Sequence, residues 1–383
     1  MTRPTLVVLT VLLVAGCRTG LQPVPNTRAT DLDGDGRIDK IVTLDQDGVV
    51  TRVVEAPEPG SDPERTVVIA IDAVPYEVFA KVQKEGLFNE FFPPARMVAP
   101  YPSLTNIGYT AIFHTAPVLG YEDRYYDPVE NKMRGGVSDR IFNRYKDVAP
   151  FHDMFGWEPP HLWGVGIYYF PGTITKAELR KIEEILHTSE EKELVLYFGG
   201  TDALGHVRGW GGLEEYLQLV DRVLRGFLAA GGGSRRVVLF SDHGTSAVPS
   251  QRVDLKKAMK AAGFNLRKHI DGPKDVVAPG YGLVGSIQLY TRCGQEEAVA
   301  RAVLKAEGVD FAFWRDGKGV DSALSADGRA DALDRPEDEY PDLRRRVVHA
   351  AYNHTAHPAN VFVSLKDGWH YGSAMFEFLA DMK

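Results

Sequence analysis

Two short stretches carry the residue types of a metal centre. Thr201-Asp202-Ala203-Leu204-Gly205-His206 holds a carboxylate and an imidazole four residues apart, and Ser241-Asp242-His243-Gly244 holds the same pair side by side. Carboxylate oxygen and imidazole nitrogen together suit Zn²⁺ or a similar divalent ion. Each stretch follows a short apolar run, residues 194–198 and 237–240, of the kind that forms a buried parallel strand. Both motifs therefore fall where a strand stops and a loop opens, the edge of an open α/β sheet at which ligands bind. A third acid, Asp72, ends the apolar run 67–71. There it either caps the helix that follows or joins the ligand set. Residues 101–110, Tyr-Pro-Ser-Leu-Thr-Asn-Ile-Gly-Tyr-Thr, bring hydroxyls to the start of another helix. The hydroxyls either cap that helix, or one of them is a nucleophile at an end that favours anions.

The elements that must position these residues follow from periodicity. Strands are expected at 67–71, 163–167, 194–198 and 237–240, alternating with helices at 76–84, 174–186 and 213–228. That alternation implies an α/β fold with a mostly parallel central sheet and helices on both faces. Beyond Gly244 the pattern gives a helix at 253–262, a strand at 286–290, a helix at 295–307, a strand at 309–314, a turn-rich stretch at 316–335 and a last strand at 360–365. Residues 120–156, rich in Tyr, Asp, Arg and Gly, read as an insertion over the site. His152, His161 and His187 lack ligand spacing and read as surface or core histidines.

With 383 residues, 44% of them hydrophobic, the chain has room for one large α/β domain or two ordinary ones. A net charge of -8 and no long basic block argue against stable nucleic-acid binding, though not against a small phosphate ester held by metal. Residues 1–16 have the grammar of an export signal: Arg3, a short apolar core at 6–14, then small residues before Cys17. This resembles a bacterial lipobox, which makes Cys17 the lipidated residue and membrane anchor. Arg18 in the next position resembles an outer-membrane or cell-surface address. Lipidation of Cys17 leaves Cys293 as the other cysteine, so the core rather than a disulfide must stabilise the fold.

Residues 17–30 read as a tether. In the loop after it, Asp31, Asp33, Asp35 and Asp39 alternate around Gly36, most of a Ca²⁺-binding loop. Val42 stands where a helix-loop-helix hand has its bidentate Glu, and a strand follows, so 31–55 reads as a small β unit holding Ca²⁺, or as a solvated acidic turn. Residues 56–65 link it to a catalytic domain over 66–383.

The set Asp72, Thr105, Asp202/His206 and Asp242/His243 resembles the alkaline phosphatase superfamily, and most of all its type I phosphodiesterase/nucleotide pyrophosphatase branch. Pro102-Ser103-Leu104-Thr105 is similar to that branch's P-[ST]-x-T pattern. The resemblance implies an alkaline-phosphatase-like fold and two Zn²⁺ or similar ions. Asp72, Thr105, Asp242 and His243 would hold one, and Asp202 and His206 the other with one further histidine. It implies Thr105 as nucleophile, with Ser103 as the fallback, and a phosphate-ester small molecule or nucleotide as substrate. Two positions depart. The branch's phosphate-binding Asn falls on Gly108, with Asn106 as a substitute. The late histidine is His370, unless His354 or His357 supplies it or it lies beyond Lys383. Tyr101, Tyr109, Tyr125 and Tyr126 are candidates for an aromatic slot. No sulfatase C/S-x-P-x-R motif or mutase acid cluster is visible. The competing expectation is a surface-anchored binding lipoprotein with a degenerate site.

Overall fold

The computed structural model describes residues 26–30, 40–55, 64–136, 148–160, 163, 166–167, 169–231, 235–246, 251–316, 318–319, 321–336 and 340–373. Cys17 and the acidic loop at 31–39 lie outside them.

Three parallel strands organise the chain: β4 (Arg65–Ile71), β7 (Glu193–Phe198) and β8 (Arg235–Phe240), in the order β7-β4-β8. The first strand in sequence is thus the middle one, with Ile71 opposite Phe198 and Ala70 opposite Phe240. Alternation along β4 and β7 divides their side chains between two cores. Val67, Ile69, Ile71, Leu194, Leu196 and Phe198 face a core shared with α1 (Tyr76–Lys84), α3 (Pro171–Thr188) and α4 (Gly200–Gly231). Ala70, Val195 and Tyr197 face the opposite way, onto α2 (Thr105–Phe113) and residues 148–155. Helices therefore cover both faces of the parallel sheet, as the alternating pattern implies.

The C-terminal half adds a second sheet of a different kind. Strands β9 (Ser286–Leu289), β12 (Val361–Leu365), β10 (Val309–Arg315) and β11 (Asp321–Ser325) pair in that order, antiparallel throughout. They pack on α5 (Leu255–Ala261) and α6 (Glu296–Val303). The fold is therefore mixed, a parallel layer beside an antiparallel one. A hairpin, β5 (Arg124–Asp127) with β6 (Lys132–Gly135), occupies the expected insertion. Helix α7 (Leu343–Asn353) precedes β12, and β13 (Trp369–Gly372) follows it.

Four local expectations change. Trp163 and Ile167, the ends of an expected strand, are not extended: the Ile167 N–H donates to the Trp163 carbonyl at 2.8 Å, the contact of a helical turn. Two glycines in that run leave too few side chains to fix a pleated surface. Asp202 and His206 lie on a helix and not a loop, because α4 starts at Gly200 rather than near 213. Its first turns are rich in glycine, which hides them from periodicity. The segment 26–30, expected in the tether, is β1 (Asn26–Thr30). It pairs antiparallel with β2 (Lys40–Leu44), which pairs with β3 (Val50–Glu55), so the N-terminal β unit has three strands. The turn-rich stretch contains β11.

Phe198 is fully buried at the end of β7. Phe198→Ala should cost about 3–5 kcal/mol, read as a lower midpoint in urea unfolding with an unchanged slope.

Candidate metal centre

The three parallel strands end side by side, and each delivers ligands from its carboxyl end. Asp72 directly follows β4, and its N–H donates to the Phe198 carbonyl at 3.0 Å. One residue past β7, α4 begins, and Asp202 and His206 stand one turn apart on it with His206 Nε2 3.3 Å from Asp202 Oδ1. Residues four apart share a helix face, which is why this spacing brings both to one point. Gly209, with φ 61° and ψ −160°, breaks α4 after these two turns. Asp242 and His243 follow β8, where Ser241 ties the strand ends together: its hydroxyl accepts from Val74 N–H at 2.9 Å and donates to the His243 carbonyl at 2.6 Å.

Asp72, Asp242 and His243 form a triad whose ligand atoms all lie within 4.8 Å of one another, the one such group of three among the described residues. His243 Nε2 is 3.6 Å from Asp72 and 3.5 Å from Asp242 Oδ2. The other ring nitrogen, Nδ1, lies 2.9 Å from the Gly244 carbonyl. A carbonyl only accepts, so Nδ1 carries the proton and Nε2 keeps its lone pair for the triad. Among the described residues, Asp242 Oδ2 is buried without a hydrogen-bond partner. A carboxylate oxygen orphaned next to a free imidazole lone pair and a second acid is what a divalent cation satisfies.

Electrostatics agree. Burial, reinforced by repulsion from Asp242 and Asp202, holds the Asp72 carboxyl well above the ordinary carboxylate range. Burial also raises Asp242, against the pull of His243. Burial works against the charged forms of Asp202 and His206, but each partner's opposite charge prevails, lowering Asp202 and raising His206. A bound cation would favour the ionised carboxylates.

Of the two candidate hydroxyls, Thr105 is the one at the triad. Its Oγ1 lies 3.2 Å from His243 Nε2 and 3.5 Å from Asp72 Oδ1. Ser103 is exposed and donates to the Pro100 carbonyl. Helix α2 takes Leu104 as its N-cap, with no capping side chain. The expected hydroxyl cap is therefore not used, and the first N–H groups of the helix are left for an anion.

Gly108 explains why no Asn stands there. A Cβ on it would lie 2.9 Å from the Asp242 Cβ. Asn106 is buried, lines the cavity and has its amide 3.5 Å from the Gly120 carbonyl. Among the late histidines, His370 is buried on the cavity wall, while His354 and His357 do not line it. The cavity, about 960 Å³, takes in Asp72, Thr105, Asp202, His206 and His243. The expected aromatic slot dissolves: Tyr109 and Tyr126 are core residues packed in tilted ring pairs with Phe151 and Tyr290, and Tyr125 is buried against His357. Tyr101 alone of the four lines the cavity.

Two supporting residues escaped sequence reading. Tyr197, on the α2 face of β7, donates its hydroxyl to Asp72 Oδ2. Glu178, on the buried stripe of α3 with Ile174 and Ile182, accepts from Gly199 and Gly200 N–H groups at 2.9 and 3.3 Å and from the Tyr216 hydroxyl at 2.7 Å. It thereby caps from outside the helix that carries Asp202. A glutamate on an otherwise apolar helix stripe was the available signal.

A family model described as type I phosphodiesterase / nucleotide pyrophosphatase matches residues 109–371. The match includes Asp202, His206, Asp242, His243 and His370, and begins after Asp72 and Thr105. No curated protein matches the chain. Among solved structures, human ectonucleotide pyrophosphatase/phosphodiesterase 5 is 10% identical with a TM-score of 0.38, covering 80% of this chain and 79% of its own. The murine protein of the same name is 11% identical with a TM-score of 0.39, covering 80% of each.

Gly108→Ala should push Asp242 aside and weaken divalent-metal binding by about tenfold, measured by calorimetry, since an overpacked core shifts backbone. Burial raises Glu178 to about 7. A carboxyl raised on folding stabilises most when protonated, so the stability of the wild type relative to Glu178→Gln should fall as pH rises from about 4.5 to about 7 and then level off. Parallel urea titrations of both proteins across that range give the difference.

Proposed function

Because this chain belongs to the type I phosphodiesterase / nucleotide pyrophosphatase family, we propose that it hydrolyses a phosphodiester, a pyrophosphate or a phosphomonoester, with Thr105 as nucleophile beside two divalent metal sites. The observation that carries this reading is the meeting of Asp72, Asp242 and His243 within 4.8 Å, with the Thr105 hydroxyl against them.

Asp72, Asp242, His243 and Thr105 would hold one cation. Asp202 and His206 would hold the other, with His370, which lines the cavity, as the candidate third ligand. Carboxylate and imidazole donors favour zinc. When bound, the cations supply Lewis-acid charge that acidifies the hydroxyl and offsets charge on the phosphoryl and leaving oxygens. The chain's own residues set the geometry of attack. Thr105 loses its proton to solvent, its Oγ1 bonds to phosphorus, and the bond to the leaving oxygen breaks, giving a phosphothreonine. Water then cleaves the new ester, the phosphoryl group leaves on the water oxygen, and Thr105 recovers its proton. Tyr197 fixes the orientation of Asp72, the Gly244 carbonyl that of His243, and Glu178 the turn bearing Asp202.

Two further parts of the reading rest on sequence. Ca²⁺ at Asp31, Asp33, Asp35 and Asp39 fits the alternation of those acids. An exported lipoprotein, anchored through Cys17 at the outer membrane or cell surface, fits the segment before it.

Thr105→Ala should lower turnover of bis(p-nitrophenyl) phosphate by about a thousandfold or more while zinc content, by elemental analysis, stays at that of the wild type. Normal turnover in this variant would remove Thr105 from its role. A wild-type protein with a single bound metal and no turnover would instead favour the binding lipoprotein.

A further inference from the structure

The N-terminal β unit is fastened to one end of the parallel sheet, and that end is not the one that carries the metal centre. Thr27, on β1, donates its hydroxyl to Glu90 Oε1 at 2.6 Å. The Glu90 side chain is 2% exposed and belongs to a buried network. Arg225 Nε lies 3.5 Å from Glu90, Arg225 Nη2 donates to Asp221 at 2.8 Å, and Asp221 accepts from the Phe88 N–H at 2.7 Å. On β3, Arg52 donates to the Ala230 carbonyl at 3.0 Å.

Topology fixes where these contacts lie. Helix α4 starts at Gly200, beside the carboxyl end of β7, and ends at Gly231, shortly before β8 begins at Arg235. Its last turns, with Arg225 and Ala230, therefore lie at the amino edge of the sheet. Helix α1 leaves the carboxyl end of β4, and the chain after it brings Phe88 and Glu90 to the same last turns. The triad and Thr105 stand at the opposite edge, a strand length away, and the rise along β4 is about 20 Å.

Reach turns this placement into an orientation. A lipid on Cys17 fixes that residue at a bilayer surface. The chain from Cys17 to Asn26, where β1 starts, spans about 30 Å when fully extended. A domain of about 320 residues has a radius of gyration of about 20 Å and is about 50 Å across. With the cavity turned to the bilayer, β1 would stand on the far side of the domain, beyond the reach of Cys17. With the amino edge turned to the bilayer, the same segment reaches it with slack.

We propose that the amino edge of the parallel sheet, with the β unit docked on it, is the surface this protein turns toward a lipid bilayer, so that the catalytic cavity opens to the aqueous side. The proposal rests on the reading of Cys17 as the lipidated residue and is independent of turnover.

The test is resonance energy transfer from single donor labels to acceptor-labelled lipid, with the full-length lipidated protein bound to phosphatidylcholine vesicles. Cys293→Ser removes the exposed thiol. Lys192→Cys then puts the donor just before β7 at the amino edge, and Arg208→Cys puts it at the cavity; both native side chains are exposed. Transfer should be about two- to threefold more efficient from position 192 than from position 208, for donors separated by about a strand length along the membrane normal. A second pair, Arg236→Cys on β8 against Lys366→Cys at the cavity, should give the same order. Equal transfer within a pair, or more from the cavity side, overturns the proposal. Mass spectrometry of the N-terminal peptide tells the two failures apart. An unmodified Cys17 on a protein that stays off the vesicles removes the anchor reading and the proposal with it. A lipidated, vesicle-bound protein with equal transfer removes the orientation and leaves the anchor standing.

Discussion

Like-charge repulsion in a buried hollow governs this structure. Asp72 and Asp242 are almost fully out of solvent, Asp202 lies near enough to repel both, and burial adds to the cost of ionising them. An arrangement of that kind persists only when something else holds it and a cation offsets it. What holds it is the backbone ladder of β7, β4 and β8, whose register sets the three strand ends level. Neutral donors and dipoles refine the aim: the Tyr197 hydroxyl on Asp72, the Ser241 bridge between strand ends and the outside cap by Glu178.

The two sheets divide the work. The parallel layer and α2 furnish every residue assigned to metal or nucleophile except His370. The antiparallel layer and the segments around it line the same cavity with Tyr340, Arg346, Ser364 and His370.

Glycine sets limits in two places. Gly108 lets α2 approach Asp242 more closely than any side chain would allow. Gly209 takes a positive φ of 61° with ψ −160°, a conformation that favours glycine and ends the helical segment bearing Asp202 and His206. Both positions trade side-chain function for backbone placement.

Much of this was legible in the chain itself. Buried parallel strands are short unbroken apolar runs, so 67–71, 194–198 and 237–240 announced the sheet, and the acids after them announced its functional edge. The D-x-x-x-H letters named Asp202 and His206 as ligands, but only the helix that carries them brings both to one face. Residue types and spacing, in short, determined the ligand inventory. Tertiary structure decided the rest. Which hydroxyl reaches the triad depends on how α2 starts, and Thr105 and Ser103 are equivalent as letters. The helix over 200–212 was hidden because glycine weakens the local signal that packing then overrides. The antiparallel pairing of β9 with β12 and of β12 with β10 joins segments far apart in the chain. No local pattern encodes such contacts, since they form only when distant parts of the chain meet.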